Sequence, residues 1–158
     1  MLQSASKRVR CVKKSGRQSI GKTRGGWNTK IHLVSANDKL ALGLSLSGGN
    51  EHDAPEGRKL ITSMIKPGTK TRLLMDKAYE GDETRKTAEE LGYITIVPPK
   101  VNRNNPWKYD KELYKQRNIV ERLFRRIKEF RRIFTRYDKL DDIFIGFVYF
   151  GLSIIMIK

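Results

Sequence analysis

Polar and apolar residues alternate along "TKIHLV", residues 29–34, and leucines stand at positions 40, 42, 44 and 46 in "LALGLSLS". A period of two is the mark of a half-buried strand, so two strands are predicted, the second with its leucines on one face. The linking "SANDK" carries Asn37 and Asp38, which favour a turn, and the pair reads as a hairpin. "GGN" breaks the chain. "DAPE" then places Asp53 as N-cap with Glu56 three residues on, a capping-box spacing that predicts a helix to about residue 65. After the turn "PGTK", residues 71–76 form a third predicted strand that ends on Asp76. "DETRKTAEELGY" predicts a helix stopped at Gly92, and "ITIVPP" a short strand closed by two prolines. "KVNRNNPWKYD" reads as a polar loop, followed by a long helix over about 111–136 and an apolar one over 141–157. Strands alternating with helices predict an α/β fold built on a mixed sheet.

Charge narrows the partners. The 158 residues include 33 Lys and Arg against 17 Asp and Glu, a net charge of +16. An excess that large on one domain points to a polyanion, most simply nucleic acid. Nine of the cations fall in residues 1–30, which contain no acid. The single cysteine, Cys11, excludes an internal disulfide and suits a reducing cytoplasm. The start, "MLQSASKRVR", has no apolar core of a secretion signal. The apolar run 143–157 would span roughly 22 Å as a helix, short of a bilayer core of about 30 Å, so a buried terminal helix is expected rather than a membrane span.

Two motifs carry candidate chemistry. "GRQSIGKT", residues 16–23, fits the phosphate-cradling G-x-x-x-x-G-K-[ST] pattern, but Gly25-Gly26 and a strand follow where a helix should run. On the long predicted helix, Ile119, Leu123, Ile127, Phe130 and Phe134 share one face. Tyr114, Arg117, Glu121 and Lys128 share the opposite one, with Arg125 beside them. By itself that stripe is an ordinary solvated face with the i,i+4 pairs Arg117–Glu121 and Glu121–Arg125.

The spacing Y-x2-R-x3-E-x6-K over these residues resembles the signature of the DDE transposases of bacterial insertion sequences, in the class of families four and five. "GKTRGGWNTKIHLV", "LSGGNEHDAPEG", "LLMDKAYEGDETR", "VPPKVNR" and "RNIVERLFRRIKEFRRIFTRYDKL" are most similar to family-five blocks, in their usual order. The resemblance covers about residue 16 to the end. It implies a ribonuclease H-like mixed sheet with flanking helices, and three acids that hold two divalent metal ions, Mg²⁺ or Mn²⁺. Asp76 would be the second acid and Glu121 the third, with Tyr114, Arg117 and Lys128 near the DNA; Arg125, beside them on the helix, is expected to join the DNA contacts. The implied activity is DNA transposition by metal-dependent phosphodiester cleavage and strand transfer. The implied partners are transposon-end and target DNA, together with a second copy of the chain or the product of an upstream reading frame; no membrane is involved.

The chain departs from the family at its start. The first acid belongs on a strand upstream of "GKTRGG", and here no acid precedes Asp38. Asp38 is assigned to the hairpin turn, Asp53 to the helix cap, and His52 to the loop before it. The expectation is therefore a degenerate or truncated segment over 1–15, then a partial DDE catalytic domain over 16–158 that lacks a proper first strand, from a truncated or split-frame product. The alternatives are a catalytically inactive DNA-binding fragment and, more weakly, a P-loop NTPase.

Overall fold

The computed structural model describes residues 16–158; the segment 1–15 and Cys11 lie outside them. Strands β1 (Gly21–Thr23) and β2 (Gly26–Ser35) meet in a tight hairpin, Thr23 opposite Gly26. Gly26 has φ +104°, a region that a side chain disfavours, which accounts for glycine at this corner. β2 continues antiparallel to β3 (Ala41–Gly48), with Ile31 opposite Leu46 and Leu33 opposite Leu44. Asn37 closes their turn, its Oδ1 accepting from the N–H groups of Lys39 and Leu40. After helix α1 (Asp53–Ser63), strand β4 (Thr71–Leu74), helix α2 (Asp82–Glu90) and strand β5 (Tyr93–Ile96) form a crossover unit with β4 and β5 parallel. Gly92, at φ +93°, stops α2 as expected. The "GRQSIGKT" stretch runs into β1, and among the described residues the first helix begins only at Asp53, so the strand–loop–helix setting of a phosphate loop is not formed.

The fold is mixed α/β, but the single mixed sheet read from the sequence is two sheets: β1-β2-β3, antiparallel, and β4-β5, parallel. The antiparallel sheet is covered on both faces. Ile31, Leu33, Leu44 and Leu46 point to a core with Leu123, Ile127, Phe144 and Val148. On the other face Gly43 lies against Leu60 of α1, where an added Cβ would stand 3.1 Å from that side chain. A second cluster, Ile61, Met75, Ala88 and Val97, seats α1 and α2 on the parallel pair. Each large apolar side chain so buried contributes about 1.5–3 kcal/mol. The "polar loop" 100–110 joins this second cluster through Trp107, whose Nε1 donates to the Val97 carbonyl and whose ring meets the guanidinium groups of Arg85 and Arg103.

Three local expectations are corrected. The long helix 111–136 is instead α3 (Lys111–Tyr114), a 3₁₀ turn (Lys115–Arg117), α4 (Asn118–Lys128) and α5 (Arg131–Phe134). At Phe130 the backbone turns extended (ψ 104°), and α5 folds back on helix α6 (Asp141–Ile157). The turn buries Ile133 and leaves Phe134, assigned to the inward face, 68% exposed. Asp53 is not a cap: it lies inside the first turn of α1 after His52, and its carboxylate accepts from Lys30 Nζ at 2.7 Å instead of from a backbone N–H. An ammonium on the adjacent strand offers a charge-assisted bond that outcompetes a neutral amide. Leu42 shares the phase of the other leucines, but the register slips there, with Val34 opposite Gly43 and Ser35 opposite Ala41, so Ala41 packs against the core and Leu42 is exposed.

Among the described residues no helix is long and apolar enough to cross a membrane. α6 lays Phe144, Val148, Leu152 and Ile155 into the first core. Its first turn is tied to the start of the chain: the Asp141 carboxylate accepts from the Ser19 N–H at 2.8 Å and from Arg136 at 2.7 Å, and Arg136 also donates to Thr29 Oγ1 at 2.7 Å.

Candidate active site

Asp76 stands just past the end of β4. Met75 before it is buried and its N–H donates to the Ile96 carbonyl, so the strand is anchored to the last residue before the acid. Lys77–Tyr79 then form one 3₁₀ turn, in which the Tyr79 N–H donates to the Asp76 carbonyl at 2.9 Å. The Tyr79 ring rests against Gly57 of α1, and its hydroxyl lies 2.7 Å from His32 Nδ1; the other His32 nitrogen lies 2.7 Å from Ser47 Oγ. A polar thread thus ties the turn after Asp76 to the antiparallel sheet. Burial pushes the Tyr79 hydroxyl well above its ordinary range, and the charges of Asp53 and Asp76 add to this. Burial lowers His32, with Asp53 and Glu56 opposing, so the pair is held neutral.

Glu121 comes from α4, whose Leu123 and Ile127 are locked in the core four residues apart. The acid is on the exposed side of that helix. Asp76 and Glu121 are 45 residues apart in the chain, and the fold brings them to one guanidinium. Arg117 Nη1 is 3.1 Å from Asp76 Oδ2, and Nη2 is 2.6 Å from Glu121 Oε1. The carboxylate side chains are 54% and 50% exposed, so both face solvent and anything that approaches from it. The Arg117 guanidinium carbon also lies 5.7 Å from the Tyr114 ring centroid. Tyr114 meets Tyr109 edge-on; burial raises its hydroxyl pKa, and the Arg117 charge partly offsets this.

Asp76, Glu121, Arg117, Arg125 and Lys128 line one cavity of about 790 Å³ bounded by β2, β4, α1 and α4. Arg125 and Lys128 are exposed and form no ion pair among the described residues, so the pair Glu121–Arg125 is not made. Asp38 is held elsewhere, by Arg126 at 3.3 Å, and His52 is exposed ahead of α1. Sequence reasoning missed three groups here. Asp53 also lines the cavity, held by Lys30. His32 and Tyr79 brace the turn beside it. One signal was present: in an alternating strand His32 falls opposite Ile31 and Leu33, on the face where Ser45 and Ser47 also lie.

The donor set suits a hard divalent cation, which takes carboxylate oxygens and fills its remaining positions with water and phosphate. The fit is partial. Among the described residues no three His, Cys, Asp or Glu side chains stand close enough to hold one ion together.

A transposase DDE domain model matches residues 6–150, and the chain belongs to that family. It is similar to a Brucella ovis protein whose name describes a transposase for insertion sequence element IS6501, with 28% identity over 131 residues that span 82% of this chain and 98% of the relative. No solved structure matches it significantly. The resemblance to bacterial insertion-sequence DDE transposases, drawn above from five sequence blocks, is therefore met at the level of the family and of a role in transposition. Transposases of this family use divalent metal ions.

Proposed function

We propose that residues 16–158 are the ribonuclease H-like catalytic part of an insertion-sequence transposase, with Asp76 and Glu121 as two of the acids that hold Mg²⁺ or Mn²⁺. The observation that carries the reading is the convergence of Asp76 and Glu121, from distant parts of the chain, on Arg117 in one solvent-open cavity. A cation bound there would supply charge stabilisation at a DNA phosphorus during cleavage and strand transfer. The chain's own residues do the rest. β4 and α4 fix the two carboxylates from rigid elements. Arg117 neutralises both until a cation displaces it. Arg125 and Lys128, without acidic partners among the described residues, meet the phosphates of transposon-end and target DNA, and Tyr114 and Arg117 flank the same approach.

Asp76 and Glu121 are two of the three acids that the resemblance implies, and among the described residues no third acid joins them closely enough to hold one ion. A second copy of the chain would then complete the machinery. Two carboxylates hold and align a cation less well than three, and misplacement alone costs about a hundredfold in rate. The test is nicking of supercoiled plasmid by the purified chain in Mn²⁺, beside a form extended upstream to carry an Asp-bearing strand. The extended form should cut about a hundredfold faster, and Glu121→Gln should abolish cutting in both. Cleavage that survives Glu121→Gln would refute the assignment.

A further inference from the structure

Asp76 and Glu121 belong to different cores. Leu123 and Ile127 anchor α4, which carries Glu121, in the cluster that covers the antiparallel sheet. Met75, the residue before Asp76, lies in the other cluster, with Ile61, Ala88 and Val97. The separation of the two acids is therefore set by how the antiparallel half, with α4 to α6, sits against the parallel half, with α2. Apolar burial holds such halves together without direction, whereas a hydrogen bond adds a preferred distance and angle. Among the described residues two side-chain hydrogen bonds run directly between the halves: Arg117, just ahead of α4, to Asp76, and His32 with Tyr79. A cation that takes Asp76 displaces the first. The second remains.

That second bond is held from both ends. His32 is 3% exposed, and each ring nitrogen lies 2.7 Å from a hydroxyl, Nδ1 from Tyr79 and Nε2 from Ser47. Burial lowers its pKa, and a neutral imidazole has one nitrogen to donate and one to accept, so either tautomer fills both bonds. Ser45, opposite His32 on β3, takes no part: its Oγ is buried with no hydrogen-bond partner among the described residues. At the other end the Tyr79 ring meets the imidazole edge-on, at 76°, and rests on Gly57 of α1, where a Cβ would not fit. Asp76 and Tyr79 close one 3₁₀ turn, the Tyr79 N–H donating to the Asp76 carbonyl at 2.9 Å. Glu80, next in the chain, is buried and paired with Lys100 and Arg103, each at 3.1 Å. A displacement of the Tyr79 ring is therefore passed to the Asp76 backbone.

We propose that His32 and Tyr79 are positioning residues for the cation site: their hydrogen bond pins the turn after Asp76 to the antiparallel sheet and so sets the separation of Asp76 from Glu121. The inference rests on the proposed function, since it takes those two acids as ligands, and it adds the residues that hold them at working distance. Mg²⁺ demands near-ideal geometry, with oxygens at about 2.0–2.1 Å. A turn free to drift by a fraction of an ångström is therefore felt as lost affinity. Removal of a partner that only orients a ligand typically costs about 10–100-fold in metal affinity. Here the bond acts through the backbone and not on the carboxylate itself, which places the effect at the low end of that range.

The test compares Tyr79→Phe with the parent, both as the full chain. The substitution keeps a ring against Gly57 and removes only the hydroxyl. Mn²⁺ binding is measured without DNA, from the electron paramagnetic resonance signal of the free ion, at a temperature below the unfolding of every variant. Tyr79→Phe should bind Mn²⁺ about tenfold more weakly than the parent. Ser45→Ala, which removes a neighbouring hydroxyl that has no partner among the described residues, should bind it as the parent does. Asp76→Asn should also weaken binding, and Tyr79→Phe added to it should cost nothing more, because the turn then positions no ligand. Such non-additivity separates positioning from a general loosening of the fold. Unchanged Mn²⁺ affinity in Tyr79→Phe would overturn the proposal. So would a loss of the same size in Ser45→Ala, or a further loss when Tyr79→Phe is added to Asp76→Asn. Failure of the site itself reads differently: if Asp76→Asn binds Mn²⁺ as tightly as the parent, Asp76 is not a ligand, and the proposed function falls together with the inference built on it.

Discussion

Arg117→Ala should tighten divalent-cation binding while it loosens the fold. In the protein one guanidinium occupies both carboxylates, at 3.1 Å from Asp76 and 2.6 Å from Glu121, so a cation must displace it to gain either. Both acids are about half exposed, and water screens the pairs accordingly. At about 0.2–1 kcal/mol for each pair, the two together hold Arg117 with about 0.4–2 kcal/mol. Removing the competitor returns that energy to the cation, a gain of about 2- to 30-fold in Mn²⁺ affinity at a tenfold step per 1.4 kcal/mol. The same loss, without metal, lowers the melting temperature by roughly 1–8 °C for a chain of this size. Calorimetric titration of MnCl₂ into both proteins at low ionic strength reads the first effect, and thermal unfolding without metal reads the second. Glu121→Gln placed in the Arg117→Ala background should cancel the affinity gain. A folded Arg117→Ala protein that binds Mn²⁺ no more tightly than the parent would refute the reasoning, because the two acids would then not share a site that Arg117 blocks.

Other outcomes follow from the same geometry. DNA binding should be largely sequence-independent and fall with salt; if about six phosphates are neutralised, log affinity against log salt should have a slope near −5 by filter binding or anisotropy. Gly57→Ala places a Cβ 2.4 Å from the Tyr79 ring and should cost about 1–3 kcal/mol in urea unfolding by pushing Tyr79 off His32; an unchanged midpoint would contradict this. Asp141→Asn should cost about 1.5–3 kcal/mol, because it weakens charge-assisted bonds to Ser19 and Arg136. Burial opposes ionisation of Asp141, but those two partners outweigh it and hold the carboxyl below its ordinary range. A depressed acid contributes stability above its unfolded value, about 3.9, and loses it as pH falls through the folded value. The gap between Asp141→Asn and parent melting temperatures should therefore be widest near neutral pH and close in acid.

Strands β2 to β5, α1, α2 and α6 were legible because their signals are local: a period of two, an Asn in a turn, a glycine at φ +93°; the three-residue β1 was not. The break after Lys128 was not. Helical periodicity assigns faces along one axis and carries no information about the helix packed against it. Here α6 presents Gly151, where an added Cβ would lie 2.8 Å from Ile133 and 3.4 Å from Phe130. That bare backbone lets α5 press close, and the chain gains a buried Ile133 by leaving the helical path at Phe130. A side chain on Phe134 that a continuous helix would have buried is left in solvent.

The site shows the same division between what is near in sequence and what is near in space. Asp76 was readable as an acid at a strand tip, and Arg117–Glu121 as an i,i+4 pair. That one guanidinium would serve both acids depends on how β4 is placed against α4, which no short motif encodes. Asp53 failed for the opposite reason: Asp and Glu three residues apart fit a capping box well, and the fit concealed Lys30, 23 residues earlier on the neighbouring strand. Once Lys30 takes that carboxylate, Asp53 faces the cavity beside Tyr79 rather than the helix end. An acid so held by an ammonium is poorly suited to bind a cation. The cavity therefore has two carboxylates at one guanidinium and a third committed to Lys30.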